Sequence, residues 1–320
     1  MINTIVTKLN SQLPDATLAI NSVDLTCNSK DIKIDYTVFN SNSTSTIPAG
    51  TPIAIYSNGA LVGTTKTKNT IPIDGSEQNQ FTITLPQNSA AIVNLEMRVD
   101  DNGTRTGIVT ELNETNNSAF LTNISLKISP EINPLANLES CNQGFGIATF
   151  DFSDYVESVK VKLEDTVSFY NSAAAATLGK DNGATAITNP SSFSANKPIT
   201  TIYVRIQNES CFTVTSFQLI TRNCLPTIYN YVSANNDGRN DTFTVKGLRN
   251  VFNNYKIEIY NRWGVLLWEG NNSTADWDGY ATKGLLWDNS KCPSGTYFYI
   301  IKLNDTNFPQ PLAGFLFLSY

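Results

Sequence analysis

The stretch Asp-Ile-Lys-Ile-Asp-Tyr-Thr-Val-Phe at residues 31–39 places an apolar side chain at every second position. This alternation is typical of a β-strand with one buried and one exposed face. Residues 81–85 and 91–99 repeat the pattern, and Asn58-Gly59 is a strong signal for a two-residue hairpin turn. About seven such strands fit between residues 17 and 127, which predicts a β-sandwich of roughly 100 residues.

The composition fits an all-β protein along the whole chain. The 320 residues include 38 Asn, 36 Thr, 13 Tyr, 16 Phe and 4 Trp. Thr and the aromatic residues favour strands, whereas Asn favours turns. Hydrophobic residues make up 41% of the chain, which is enough to build cores, and the length suggests two or three domains.

The chain contains no histidine, which excludes several classes of site. Catalysis by Ser-His-Asp or Cys-His groups is ruled out, as is zinc, copper, iron or haem bound through histidine. The net charge of −6 argues against a nucleic-acid partner, which needs a basic face. No apolar stretch is long enough for a transmembrane helix, so we expect no membrane-spanning segment in this chain.

Two breaks in the strand pattern divide the chain. Residues 128–134 contain Pro130 and Pro134, which make a short stiff linker, and a second break falls near residues 223–226. We therefore predict three tandem Ig-like antiparallel β-sandwich domains, at residues 1–128, 129–224 and 225–320. Residues 1–8 lack the basic and apolar segments of a secretory signal peptide. Either the protein is cytosolic or, as we expect, the chain is a piece of a longer secreted protein.

Five cysteines suggest an oxidising compartment. The spacing predicts one bridge between Cys141 and Cys211 and a second between Cys224 and Cys292, which leaves Cys27 unpaired. The alternative is that all five are buried thiols. Disulphides would place the chain outside the cytosol.

The last domain carries four motifs in order: residues 235–243 (Asn-Asn-Asp-Gly-Arg-Asn-Asp-Thr-Phe), 259–264 (Ile-Tyr-Asn-Arg-Trp-Gly), 277–279 (Trp-Asp-Gly) and 293–299 (Pro-Ser-Gly-Thr-Tyr-Phe-Tyr). This series resembles the gliding-motility-associated C-terminal domain, the type B sorting domain of the type IX secretion system in Bacteroidetes. The departures are Ala234 and Asn236, where the family has Pro and Gly, an inserted segment at residues 285–289, and the end Leu318-Ser319-Tyr320, where the family often ends in a basic residue.

The resemblance implies recognition by the type IX outer-membrane translocon and export with a PorP/SprF-like β-barrel that anchors the protein. The last strand supports docking independently, because it is apolar on both faces and would be an aggregation hazard at a free edge. It is therefore either buried centrally or covered by a partner. The predicted docking residues are Arg262, Trp263, Gly264, Phe315, Leu316, Phe317, Leu318 and Tyr320.

The two upstream domains carry weaker resemblances. Residues 36–40, 54–59, 99–101 and 111–117 make the first domain similar to CARDB-type adhesion modules. The middle domain resembles the Ig-like repeats that precede sorting domains in large surface proteins, through Cys141, residues 148–152 and residues 203–205 leading to Cys211.

Two groups of oxygen ligands suggest a cation. Asn235, Asp237, Asn240 and Asp241 crowd one loop and could bind calcium, or they form Asx turns that bond their own backbone. Glu111 and Glu114 are open to the same two interpretations, cation site or solvated turn, and we favour the turn in both cases.

Tryptophans and one arginine in the last domain have two interpretations each. Trp263, Trp268, Trp277 and Trp287 suggest a platform for surface glycans, but Trp263 and Trp277 are expected to pack the sandwich core, with Trp287 the better exposed contact. Arg262 either binds a partner carboxylate or, as we favour, pairs internally with Asp276 or Asp278.

These observations predict a non-enzymatic protein, because no carboxylate pair suited to glycoside hydrolysis stands out. We expect an extracellular adhesin held at the outer membrane through its last domain. The alternative is a string of glycan-binding modules, which is compatible with the same sorting role.

Overall fold

The computed structural model describes residues 12–284 and 290–320. The chain divides into two compact units, residues 1–130 with 207–213, and residues 131–206 with 214–320. Strands dominate both units, which confirms the predicted all-β fold of tandem Ig-like sandwiches. Among the described residues, no helix is long and apolar enough to cross a membrane.

The first sandwich has two antiparallel sheets. Their orders are β1-β2-β5 and β4-β3-β6-β7. The strands are β1 (Ala16–Leu25), β2 (Asp31–Asn40), β3 (Pro52–Ser57), β4 (Ala60–Lys66), β5 (Ser76–Thr84), β6 (Ile92–Val99) and β7 (Ser118–Ser125). Because side chains alternate across a strand, β2 buries Ile32, Ile34, Tyr36 and Val38 against the facing sheet, as its sequence predicts.

The middle sandwich contains one four-stranded sheet and one strand pair. Their orders are β10-β12-β13-β8 and β11-β9. The elements are β8 (Leu138–Cys141), β9 (Ala148–Phe150), α1 (Tyr155–Ser158), β10 (Thr166–Tyr170), α2 (Ala173–Leu178), 3₁₀ turns at Lys180–Asn182 and Pro190–Ser192, β11 (Phe193–Ala195), β12 (Ile199–Gln207) and β13 (Phe212–Arg222). The core centres on Phe152, whose ring contacts those of Phe169, Phe193 and Phe217.

The last sandwich is built on a five-stranded sheet, ordered β15-β22-β21-β17-β18. Two short pairs, β14-β16 and β19-β20, accompany it. The strands are β14 (Thr227–Ile228), β15 (Tyr231–Ser233), β16 (Val245–Lys246), β17 (Lys256–Tyr260), β18 (Leu266–Asn271), β19 (Tyr280–Ala281), β20 (Ser290–Lys291), β21 (Gly295–Lys302) and β22 (Leu312–Ser319). The final strand β22 is therefore an internal strand, with neighbours on both sides.

Two strand pairs depart from the antiparallel prediction. In the middle sandwich β8 runs parallel to β13, and in the last sandwich β15 runs parallel to β22. Each pair brings a strand from the beginning of a sandwich beside its final strand. Three separate hydrophobic cores lie within residues 16–126, 132–219 and 228–318. The domain boundaries that we placed at residues 128 and 224 stay a prediction.

The predicted cysteine pairing was wrong. The disulphides join Cys27 to Cys211 and Cys141 to Cys224, with Cα–Cα distances of 5.9 and 5.5 Å, and Cys292 is a buried thiol. Cys141 lies opposite Arg222 at the end of β13, whereas Cys211 precedes the start of that strand. At about 3.3 Å per residue these ends are more than about 30 Å apart, so Cys141 cannot reach Cys211 and bonds Cys224 instead.

Candidate docking face and signal motifs

The terminal strand β22 alternates between core and surface. Leu316 and Leu318 are fully buried, whereas Phe315 and Phe317 are 54% and 44% exposed. The docking role predicted for Leu316 and Leu318 was therefore wrong, because their side chains fill the core of their own sandwich. The structure places Phe315 and Phe317 on the open face of the sheet, and their docking role stays a prediction.

Neighbouring strands extend this open face with further aromatic rings. Phe317 lies beside Tyr231 of β15, and their rings stack at 6.4 Å. Phe315 lies opposite Phe298 of β21. We call Tyr231, Phe298, Phe315 and Phe317 the aromatic face.

Two members of the aromatic face, Tyr231 and Phe298, are not among the docking residues predicted from the sequence. Phe298 was detectable, because it follows the period-two pattern of residues 296–303 on the side opposite the buried Tyr297 and Ile301. Tyr231 was not, because its place depends on a parallel pairing between strands more than 80 residues apart.

The hairpin between β17 and β18 borders this face. The Asn261 side chain accepts hydrogen bonds from the backbone N–H groups of Trp263 and Val265, both at 3.0 Å. Gly264 adopts a φ of +76°, which L-residues rarely adopt. This turn presents Trp263 at 76% exposure, with the Arg262 guanidinium 4.9 Å from the centre of the indole ring.

A shallow groove of about 750 Å³ connects the hairpin to the aromatic face. Arg262 and Gly264 line one side, and Phe298 and Phe315 line the other. The groove thus brings the Arg262 guanidinium together with the rings of Phe298 and Phe315 on one surface. Trp263 lines a smaller cavity of about 160 Å³ beside Pro293 and Tyr297.

The internal ion pair that we favoured for Arg262 with Asp276 was wrong. Asp276 pairs with Arg249 at 2.6 Å, and Arg249 also donates to the backbone oxygens of Asn272 and Thr274. Asp278 accepts a hydrogen bond from the backbone N–H of Tyr280. Within the described ranges Arg262 forms no ion pair, so its charge is available at the rim of the groove.

The Trp-Asp-Gly motif fastens the chain terminus to the core. Trp277 is fully buried, donates from Nε1 to the oxygen of Tyr280 and packs against the Tyr297 ring at 5.4 Å. Gly279 has a φ of +89°, and a Cβ there would meet the Tyr320 hydroxyl and Leu318. Only one of the two tryptophans expected in the core is there, since Trp263 is exposed. Trp287 lies outside the described residues.

Tyr320, a predicted docking residue, is 40% exposed and is hydrogen-bonded to its own domain. Its hydroxyl donates to the backbone oxygen of Cys292 at 2.7 Å, and the Lys291 ammonium lies 3.5 Å from its ring centre. Burial raises the pKa of the Tyr320 phenol to about 12 and that of the Cys292 thiol to about 11. The thiol therefore stays protonated at neutral pH, which keeps it unreactive.

The side-chain oxygens of the loop considered as a calcium site bond the loop's own backbone, which is the alternative that we favoured. Asp241 accepts from the backbone N–H groups of Asn236 and Gly238, at 2.7 and 2.8 Å. Asp237 accepts from Arg239 N–H and from the Asn235 amide. Asn240 has positive φ, and its backbone oxygen accepts from the Ser233 N–H. Calcium binding by Asn235, Asp237, Asn240 and Asp241 stays a prediction.

In the acidic loop of the first sandwich Glu111 is buried, contrary to the solvated turn expected for it, whereas Glu114 is exposed. Glu111 is 1% exposed and accepts the Ala16 N–H at 2.8 Å, while Glu114 accepts the Glu111 N–H at 2.9 Å. Burial, with Asp100, Glu114 and Asp15 nearby, raises the Glu111 pKa to about 7. In the part of the chain that the structure describes, no group of three or more Cys, Asp or Glu side chains is arranged to hold a metal.

Comparison with known proteins finds two family matches. Residues 137–226 match the Flavobacterium inter-domain disulphide bond domain, and residues 226–318 match the CHU_C type IX secretion signal domain. No curated protein matches the chain.

Several solved structures are similar. A CARDB domain from Pyrococcus furiosus, in complex with di-metal ions, is 24% identical, covering 38% of this chain and 99% of that one with a TM-score of 0.30. A fragment of three titin Ig domains is 8% identical, covering 97% and 99% with a TM-score of 0.38. At these scores the likenesses add nothing to the fold, which rests on the sheets themselves.

The second family match agrees with the motifs of the last sandwich. The match spans all four of them, from the Asx loop through the hairpin and the buried Trp277 turn to β21. It confirms the sorting-domain resemblance predicted from the sequence. The chain therefore carries a type IX secretion signal in its last sandwich and is a secreted, extracellular protein.

Proposed function

We propose that this protein is a non-enzymatic surface adhesin whose last sandwich is recognised by the type IX translocon. After export, that sandwich stays docked on a PorP/SprF-like outer-membrane β-barrel and anchors the protein to the cell. The aromatic face, with the Arg262 hairpin at its rim, is the docking surface.

The observation that carries the proposal is the exposure of four aromatic rings on one ordered sheet. Contiguous apolar patches are uncommon on monomeric proteins and mark interaction sites. Buried aromatic and arginine side chains supply most of the binding energy in many interfaces, and this surface offers both types. The rings are held on three hydrogen-bonded strands of one sheet, so docking would cost little ordering of the backbone.

Arg262 adds orientation to this apolar surface. Among the residues that the structure describes, its guanidinium pairs with no carboxylate, and it lies beside the exposed Trp263 ring. A partner carboxylate would form a planar, two-bond contact with it, which fixes register in a way that apolar contacts do not.

The test is display of the whole chain, behind a signal peptide and a fluorescent protein, in a gliding Bacteroidetes strain. Phe315→Ser with Phe317→Ser should abolish surface retention, as should deletion of the barrel partner. The control is Phe120→Ser, which removes an even more exposed ring, 67% exposed, from the first sandwich. Full display of the double variant would overturn the docking surface. Release of the double variant into the medium would show that it is exported but not anchored.

Glycan binding is a second proposal, favoured by the exposed Trp263 ring beside a small cavity. Aromatic rings stack on the apolar faces of sugars while polar groups fix their orientation. The whole chain should bind surface glycans on an array, and Trp263→Ala should remove that binding. An array without binding would leave the sorting role alone.

A further inference from the structure

The two disulphides enclose most of the first two sandwiches. Cys27 follows the end of β1, and its partner Cys211 precedes the start of β13, 184 residues later. The elements β2 to β12 therefore lie inside one covalent loop. The second loop, from Cys141 to Cys224, spans 83 residues and overlaps the first.

We propose that these bonds form a tension bypass through the protein. A pull on the N-terminus passes along β1 to Cys27, crosses the sulphur bond to Cys211 and runs down β13 to Cys224. Residues 28–210 lie outside this path, because the Cys27–Cys211 bond carries the tension past the loop that it closes. Unfolding that loop adds no length between the two cysteines. Of the first two sandwiches, only β1 and β13 then carry the load, and the residues inside the loop are not extended by it.

Strand direction completes the path in the last sandwich. Tension enters near β15, which is hydrogen-bonded in parallel to the terminal strand β22 through the pairs Tyr231–Phe317, Val232–Leu318 and Ser233–Ser319. Pulling the two chain ends apart slides such parallel strands along each other, so their hydrogen bonds are loaded together rather than one at a time. The middle sandwich has a similar parallel pair, β8 with β13, but β8 lies among residues 28–210 and so outside this path.

The two bonds are not equivalent, because the shortest covalent path uses Cys27–Cys211 alone. If that bond is absent, Cys141–Cys224 still removes 83 residues from the path. The second bond is thus a reserve that comes into use when the first is broken. This dependence on chain topology does not rest on the docking surface proposed above.

The test is single-molecule stretching of the whole chain, held at its two ends, until it is fully extended. Relative to the oxidised protein, reduction should add 184 residues of length, about 610–660 Å at 3.3–3.6 Å per residue. Cys27→Ser with Cys211→Ser should add the difference between 184 and 83 residues, about 330–360 Å. Cys141→Ser with Cys224→Ser should add nothing.

Extended length does not depend on whether a variant folds, so all three results are interpretable. Equal lengths for the oxidised and the reduced chain would overturn the proposal. So would a gain in length from removing Cys141–Cys224 alone. In the oxidised chain, unfolding steps should come from the last sandwich, with short releases of β1 and β13, and a larger step would also overturn it.

Discussion

The middle and the last sandwich share one strand arrangement, but different interactions hold it together. Both place an early strand parallel to the final one. In the middle sandwich Cys141–Cys224 locks the end of that pair, whereas in the last sandwich Cys292 is a buried thiol and the pair is held by packing. The same topology can therefore be held by a disulphide or by apolar packing alone. In the last sandwich, which is held by packing, aromatic rings lie on the open face of the sheet.

The largest effect should come from the buried side chain that closes the last sandwich. Trp277→Ala should destabilise that sandwich by about 3–5 kcal/mol, because it leaves a cavity beside Tyr297 and unpairs the Tyr280 oxygen. Chemical denaturation of the whole chain would measure the loss. Trp263→Ala, on the exposed hairpin, is the matched control and should change stability little. Equal losses would mean that packing at Trp277 does not hold this sandwich.

The covalent closure of the middle sandwich should rank next. Cys141→Ser with Cys224→Ser opens an 83-residue loop, and we expect a loss of about 2–4 kcal/mol. Hydrogen exchange should rise in β8 and β13 while β21 and β22 stay protected. Faster exchange in both sandwiches would show that they unfold as one unit. It would contradict the claim that each sandwich is held by its own interactions.

The sequence predicted the fold well where a local pattern decides it. The period-two alternation of residues 31–39 and the four motifs of the last domain are local signals, and both were confirmed. The disulphides were mispredicted because Cys141–Cys224 depends on β8 lying parallel to β13, and Cys27–Cys211 joins segments 184 residues apart. The burial of Leu316 and Leu318, and the ion pair of Asp276 with Arg249, depend on long-range packing in the same way.

The first sandwich offers a pH-dependent contrast with the other two. Folding raises the Glu111 pKa from 4.5 to about 7, so between these values the folded state binds a proton that the unfolded state does not. The stability that Glu111 contributes is then fully present below pH 4.5 and is lost as pH rises through about 7, by about 1–3 kcal/mol in total. Hydrogen exchange in β2 between pH 5 and pH 8, corrected for intrinsic rates, would detect the loss.

Glu111→Gln should remove this pH dependence, because the amide oxygen still accepts the Ala16 N–H but carries no charge. The exposed Glu209→Gln is the control and should leave the pH profile unchanged. A profile that survives in the Glu111→Gln variant would assign the dependence to another group.

The smallest effect on stability should come from the aromatic face itself. Phe315 and Leu316 are adjacent on β22, with one side chain in solvent and the other in the core. We expect Phe315→Ser to change the free energy of unfolding by less than about 1 kcal/mol, whereas Leu316→Ala should cost about 2–5 kcal/mol. Denaturation of the two variants in parallel would measure both. A large loss for Phe315→Ser would show that the ring stabilises the sheet and would remove the physical case for docking. A small loss combined with lost surface retention would assign the ring to the partner.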